Sequence, residues 1–215
     1  MSQKPVPSAE TPVSAAARRI GVFGGTFDPP HNGHLLLAGA ALRCLGLECV
    51  LWVITPDPPH KRGRAISPLT QRLRLLQAAL AGRPEFSISL VDASRPGPQY
   101  AVDTLRLLQA EYPGADLFYL IGGDSLHDLP GWYAPRELLA LTAGLGVLRR
   151  PGDRVDLETL EQRLPGVTAK LSLIPAPETS LSSSALRERI RSGQCVEDSL
   201  PAAVLDIIRR ENLYR

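Results

Sequence analysis

Gly24-Gly25-Thr26-Phe27-Asp28-Pro29-Pro30-His31-Asn32-Gly33-His34 lies between an apolar run at residues 19–23 and a stretch of helical character at residues 33–45. With its flanks it reads as a strand, a glycine turn and a helix start. Adjacent glycines let the backbone approach a ligand without interference from side chains. The first turn of a helix offers unpaired N–H groups and the positive end of its dipole, which favour phosphate. His31 and His34 stand three apart and share a helix face. Two imidazoles there suit phosphoryl oxygens and the charge on a leaving phosphate group. Neither G-x-G-x-x-G nor G-x-x-x-x-G-K-[ST] is present, which removes the dinucleotide fingerprint and the P-loop. A zinc site is disfavoured, since H-E-x-x-H is missing and no cysteine stands beside the pair in sequence. Two surface histidines on a glycine turn would account for a lone H-x-G-H, but poorly for all eleven residues in this position.

Outward from the turn, residues 48–55 are almost continuously apolar, as in a strand buried on both faces. Further strands are predicted at residues 86–91, 116–121, 144–148 and 170–174. Helices are predicted at 68–81, with Ser67 as N-cap and Pro68 at the first helical position, and at 101–112 and 135–141. A charged helical segment spans 156–164, and two helices, 183–191 and 201–210, close the chain. This alternation predicts an α/β fold: a Rossmann-like, doubly wound, mostly parallel sheet with C-terminal helices. Ligands of such sheets sit beyond the carboxyl ends of the strands, so motifs that follow strands become the candidates.

The 215 residues suffice to bury the core of one such domain. Residues 1–17, rich in Pro, Ser and Ala without apolar periodicity, are expected to be a disordered tail, leaving 18–215 as a single domain. At 44% hydrophobic and 21% charged the composition is that of a globular protein, and a net charge of +2 is too mild to imply a nucleic-acid partner. Cys44, Cys49 and Cys195 form no C-x-x-C pair, which argues against a disulfide framework and for a reducing compartment. No run reaches the length of a membrane span and residues 1–17 lack the apolar core of a secretion signal, so a cytoplasmic location is expected.

Several motifs follow strands. Asp124, in Gly122-Gly123-Asp124-Ser125, is a carboxylate at the end of a strand, a common partner of ribose hydroxyls. A hydrolase elbow is excluded there because His127 stands where G-x-S-x-G needs glycine. Trp132 in Gly131-Trp132-Tyr133 has two readings, a cap on the core or a platform for a flat heteroaromatic ring. Residues 58–84 carry six basic residues (Lys61, Arg62, Arg64, Arg72, Arg74 and Arg83) and no acid; such runs are usually solvated faces. Ser182 and Ser183 precede a helix and are N-caps first.

The leading stretch resembles the H-x-G-H nucleotidyltransferase superfamily, and more narrowly the bacterial nicotinate mononucleotide adenylyltransferases, whose G-G-[ST]-F-D-P-x-H-x-G-H it carries in full. Pro58-Pro59-His60-Lys61 is similar to the family's P-P-H-K, which moves Lys61 from a solvated face toward a triphosphate contact. Pro98-Gln99-Tyr100-Ala101-Val102-Asp103-Thr104-Leu105 resembles P-S-Y-T-x-D-T-L, with departures at Gln99 and Ala101. Arg149-Arg150-Pro151-Gly152 matches R-R-P-G, and Leu181-Ser182-Ser183-Ser184-Ala185-Leu186-Arg187 resembles I-S-x-x-x-x-R. The terminal Leu213-Tyr214-Arg215 also fits.

The resemblance implies ATP and nicotinate mononucleotide as small-molecule substrates, giving nicotinate adenine dinucleotide and pyrophosphate. It implies His31, His34, Lys61 and Arg187 as the catalytic groups. ATP would be bound by Gly24, Gly25, Thr26, Phe27, Gly33, Asp124, Ser182 and Ser183. The mononucleotide would meet Tyr100, Ala101, Thr104, Trp132, Tyr133 and Arg149, with Trp132 stacked on the pyridine and the Tyr133 amide on its carboxylate. The attacking phosphate is already ionised, so neither a general base nor a covalent enzyme intermediate is needed. The only cofactor expected is Mg²⁺ carried with ATP, with no metal ligand from the protein. The alternatives are an adenylyltransferase of the same fold acting on nicotinamide mononucleotide or phosphopantetheine, and a non-catalytic nucleotide-binding protein with a decayed site.

Overall fold

The first strand, β1 (Arg19–Gly25), runs through both glycines of the leading motif. The sequence stops it at Phe23 because glycine is a poor strand former. Pairing supplies what propensity lacks: β2 (Cys49–Ile54) lies parallel to β1 in a register that reaches Gly25 opposite Ile54. The computed structural model describes residues 18–58, 65–148, 156–175 and 181–215. The expected tail at 1–17, Lys61 and Arg149 lie outside the described residues.

The remaining strands are β3 (Phe86–Ser89), β4 (Asp116–Gly122), β5 (Gly144–Leu148) and β6 (Leu171–Ile174). They form one sheet of order β3-β2-β1-β4-β5-β6, and every pairing is parallel. This is the Rossmann-like arrangement, with its switch point between β1 and β4. The edge strand β3 ends two residues short of the predicted 91 because the chain turns, Ser94 N–H donating to the Leu90 carbonyl.

On one face, α1 (Asn32–Cys44) and α2 (Leu69–Leu80) cover a core built around Phe23, Phe27, Trp52 and Phe118. On the other, α3 (Ala101–Glu111), α4 (Gly123–Asp128), α5 (Pro135–Leu141), α6 (Leu157–Arg163) and α7 (Val167–Lys170) flank the sheet. The core there includes Val22, Val53, Leu105, Tyr119 and Leu145. The closing helices α8 (Ser183–Arg191) and α9 (Ala202–Arg210) share a third cluster with Leu75 and Ala79 on the outer side of α2. Among the described residues no helix is long and apolar enough to cross a membrane.

Two local expectations need correction. Ser67 does not cap α2: Pro68 takes the N-cap position with extended ψ, and the Ser67 amide donates to Asp28 Oδ2 at 3.1 Å. The buried carboxylate recruits that amide and draws the chain toward the glycine turn. Gly122 ends β4, but residues 123–125, read with it as the end of a strand, open α4. Paired glycines lower helix propensity and hide such a start.

Candidate active site

A cavity of about 960 Å³ opens over the carboxyl ends of β1 and β4, at the upper end of the size range of small-molecule sites. It straddles the sheet edge. From one face come the starts of α1 and α8; from the other come the start of α3 and the Trp132 segment. Residues at three helix N-termini therefore line one space, and the positive ends of their dipoles suit a ligand carrying several negative charges.

His31 is the N-cap of α1 in extended conformation, and its backbone N–H donates to His34 Nδ1 at 3.2 Å. A backbone amide can only donate, so Nδ1 of His34 must accept. The neutral ring then carries its proton on Nε2 and presents a donor rather than a base. The two imidazoles stack 3.6 Å apart and are tilted by 22°. Behind them Phe27 and Phe23 hold His34 at ring distances of 5.3 and 5.9 Å.

Gly33 is required by close approach. A Cβ there would lie 3.0 Å from His31 Nδ1 and 3.4 Å from Leu181 Cβ. Gly33→Ala is expected to displace the His31 ring and lower kcat roughly tenfold, about 1.4 kcal/mol in barrier, with the melting temperature nearly unchanged. Wild-type turnover in this variant would show that the ring position does not matter.

Charged groups fix the turn. Arg72 is 2% exposed. Its Nη1 donates to the carbonyls of Thr26 (2.8 Å) and Thr55 (3.1 Å), and its Nε to that of Ser67 (2.9 Å). Burial lowers its pKa, and Asp28 opposes that shift. The buried Asp28 carboxylate accepts from Tyr214 Oη at 2.8 Å as well as from Ser67. Burial, then Asp28, push the Tyr214 phenol above its ordinary range. Phe27, next to Asp28, has φ +48°, a left-handed conformation that costs a bulky residue about 1–3 kcal/mol. Its burial inside this frame holds it there.

A second frame fixes the start of α3. The Asp92 carboxylate, 2% exposed, accepts from Thr104 Oγ1 (2.7 Å), Thr55 Oγ1 (3.0 Å) and Arg95 Nη2 (3.0 Å). Arg95 also donates to the Tyr100 carbonyl at 3.2 Å. Gln99 Oε1 accepts from the Asp57 amide at 2.8 Å, stitching the segment after β2 to that before α3.

The cytidylyltransferase-like family matches residues 22–189. A probable nicotinate-nucleotide adenylyltransferase of Thermomicrobium roseum is 47% identical over 197 residues, covering 92% of each chain. One from Gloeobacter violaceus is 40% identical, covering 91% of this chain and 96% of the relative. This chain belongs to the nicotinate-nucleotide adenylyltransferase family. A Plasmodium falciparum nicotinic acid mononucleotide adenylyltransferase complexed with NaAD shares the fold, with TM-score 0.73 over 92% of this chain and 97% of that one at 20% identity.

In this family member, fifteen of the residues singled out from sequence line this cavity, from Gly24 and His31 to Trp132 and Ser183. Arg187 does not line it. Its Nη1 donates to the Asp28 carbonyl at 2.8 Å and lies 3.8 Å from Asp28 Oδ2. Ser182 caps α8 by accepting from the Ala185 amide, and Ser183 Oγ donates to the Pro29 carbonyl. The Thr104 hydroxyl is committed to Asp92. Trp132 packs on the core perpendicular to Tyr119, as in its first reading, and also lines the cavity. Tyr133 is exposed, its ring 4.4 Å from that of Tyr100.

Sequence reasoning missed Arg72, Asp92, Arg95, Gln99 and Tyr119 as parts of the site or its frame. Arg72 left a signal: it falls at the helical spacing of Leu75, Leu76 and Ala79, the buried face of α2. A charge at a core position implies buried partners.

Proposed function

We propose that this chain transfers the adenylyl group of ATP to nicotinate mononucleotide, forming nicotinate adenine dinucleotide and releasing pyrophosphate. The observation that carries this is one cavity across the β1–β4 switch point, with the histidine pair and two helix starts on one face and an aromatic platform beside a third helix start on the other. The first half suits a triphosphate and the second a carboxylated pyridine.

A phosphate oxygen of the mononucleotide attacks the α-phosphorus of ATP. The new O–P bond forms as the bond to the bridging oxygen of pyrophosphate breaks. The attacking oxygen carries no proton, so the protein has only to align the groups and receive charge. His34 Nε2–H, His31 and the amides at the starts of α1 and α8 take that charge. Gly24, Gly25, Thr26, Phe27 and Gly33 shape the turn beside ATP, Asp124 binds its ribose, and Ser182 and Ser183 lie by the β- and γ-phosphates. Arg187, which is anchored on Asp28 and does not line the cavity, is assigned to those phosphates by its sequence motif. Lys61 and Arg149 join the catalytic and carboxylate-binding groups on the strength of their sequence motifs. Trp132 stacks on the pyridine, with amides near Tyr100, Ala101 and Tyr133 toward its carboxylate and Thr104 holding that segment.

Mg²⁺ is proposed to enter as part of the ATP substrate, supplying charge neutralisation on the triphosphate. Among the described residues no three of His, Cys, Asp and Glu group to hold an ion, and Mg²⁺ commonly keeps waters and binds through phosphates. The cytoplasm is the proposed location, supported by the unpaired thiols of Cys44, Cys49 and Cys195.

The test is pyrophosphate release from ATP with either the acid or the amide mononucleotide. Charge-assisted bonds exceed neutral ones by about 1 kcal/mol, so kcat/KM for the acid is expected to be about fivefold higher. No release with either substrate would overturn the reading, and equal rates would overturn the acid preference.

A further inference from the structure

Tyr119 stands midway along β4 with its ring in the core beside Trp132, at 6.2 Å and perpendicular. The residue is 8% exposed and lines the cavity. Its ring serves the core as a phenylalanine would. Its hydroxyl does not: among the described residues Tyr119 Oη has no hydrogen-bond partner. That oxygen is not one of the buried polar atoms left without a partner; it opens into the cavity, where a bound molecule can accept a hydrogen bond from it.

Geometry places that hydroxyl between the two halves of the site. A Cβ on Gly24 would lie 3.3 Å from Tyr119 Oη, so the hydroxyl reaches the bare backbone at the end of β1, just before the histidine turn. The other side of the ring meets Trp132. A mononucleotide with its pyridine on Trp132 and its phosphate directed at the histidines passes over this point.

Resting on the function proposed above, we infer that Tyr119 is a substrate-binding residue whose hydroxyl donates to an oxygen of the ribosyl-pyridine half of the mononucleotide. Burial, and secondarily Asp92, raise the pKa of this phenol, so it keeps its proton and remains a donor at neutral pH. Gly24 leaves the hydroxyl uncovered because it has no side chain to lay over it.

The experiment compares wild type with Tyr119→Phe, which removes one oxygen and retains the ring. KM for nicotinate mononucleotide is expected to rise about tenfold, the size of one lost hydrogen bond. KM for ATP should stay within about twofold on the same scale, and the melting temperature should be unchanged or slightly higher. An unchanged KM for the mononucleotide overturns the inference, as does a rise confined to ATP. A lowered melting temperature with both KM values unchanged assigns the hydroxyl to the fold and also overturns it. Absence of pyrophosphate release in the wild type would instead be failure of the functional reading, which separates the two.

Discussion

His34→Ala is expected to lower kcat by ~10²-fold or more, the scale of a lost transition-state donor, while the protein stays folded. Charge grows on the leaving pyrophosphate only as the bond breaks, so a donor placed for it acts on kcat more than on KM. The variant also loses the bond from the His31 amide to Nδ1. A lost cap of this kind costs about 1 kcal/mol, or about 2–4 °C in a chain of this length. Rapid-quench or coupled pyrophosphate assays at saturating substrates, beside a thermal melt, measure both effects. Near-normal turnover would remove His34 from the catalytic groups. Low turnover with a drop in melting temperature far beyond the cap's share would make the residue structural.

Arg72→Met is the second large effect. Methionine replaces the aliphatic stem but leaves the carbonyls of Thr26, Thr55 and Ser67 without their donor. It also removes the cation whose field opposes the buried Asp28 charge. Breaking a buried charged network from one side costs about 3–5 kcal/mol, so the melting temperature should fall by about 10 °C. The glycine turn hangs from Thr26, so kcat should fall too, even at temperatures where the variant is fully folded. Urea unfolding and the pyrophosphate assay at low temperature give the two numbers. Wild-type stability would mean that the carbonyls find other donors and that the frame matters less than its geometry implies.

The fold was legible in the order of its elements because apolar runs and capped helices are local patterns. Errors came where distant partners override local preference. Glycines 24 and 25 belong to a strand because β2 pairs with them, and Ser67 leaves its expected cap because Asp28 takes its amide. The residues that line the cavity were legible because they stand in short motifs that follow strands. Those that hold them in place were not. Asp92 and Arg95 fall in a loop, and Gln99 stands where the family pattern has serine, yet it accepts from the Asp57 amide across 42 positions of sequence.

By itself the sequence determined that the leading turn joins a strand to a helix, that its two histidines share a face, and that the later motifs follow strands in an order suited to one nucleotide-handling sheet. Only the tertiary structure decided which nitrogen of His34 can donate, where Arg187 is anchored, and that a tyrosine hydroxyl on β4 faces the cavity unpaired. The difference has a physical cause: secondary structure and the motifs that follow strands are local patterns. The state of a proton or a buried charge depends on atoms that folding brings in from elsewhere in the chain.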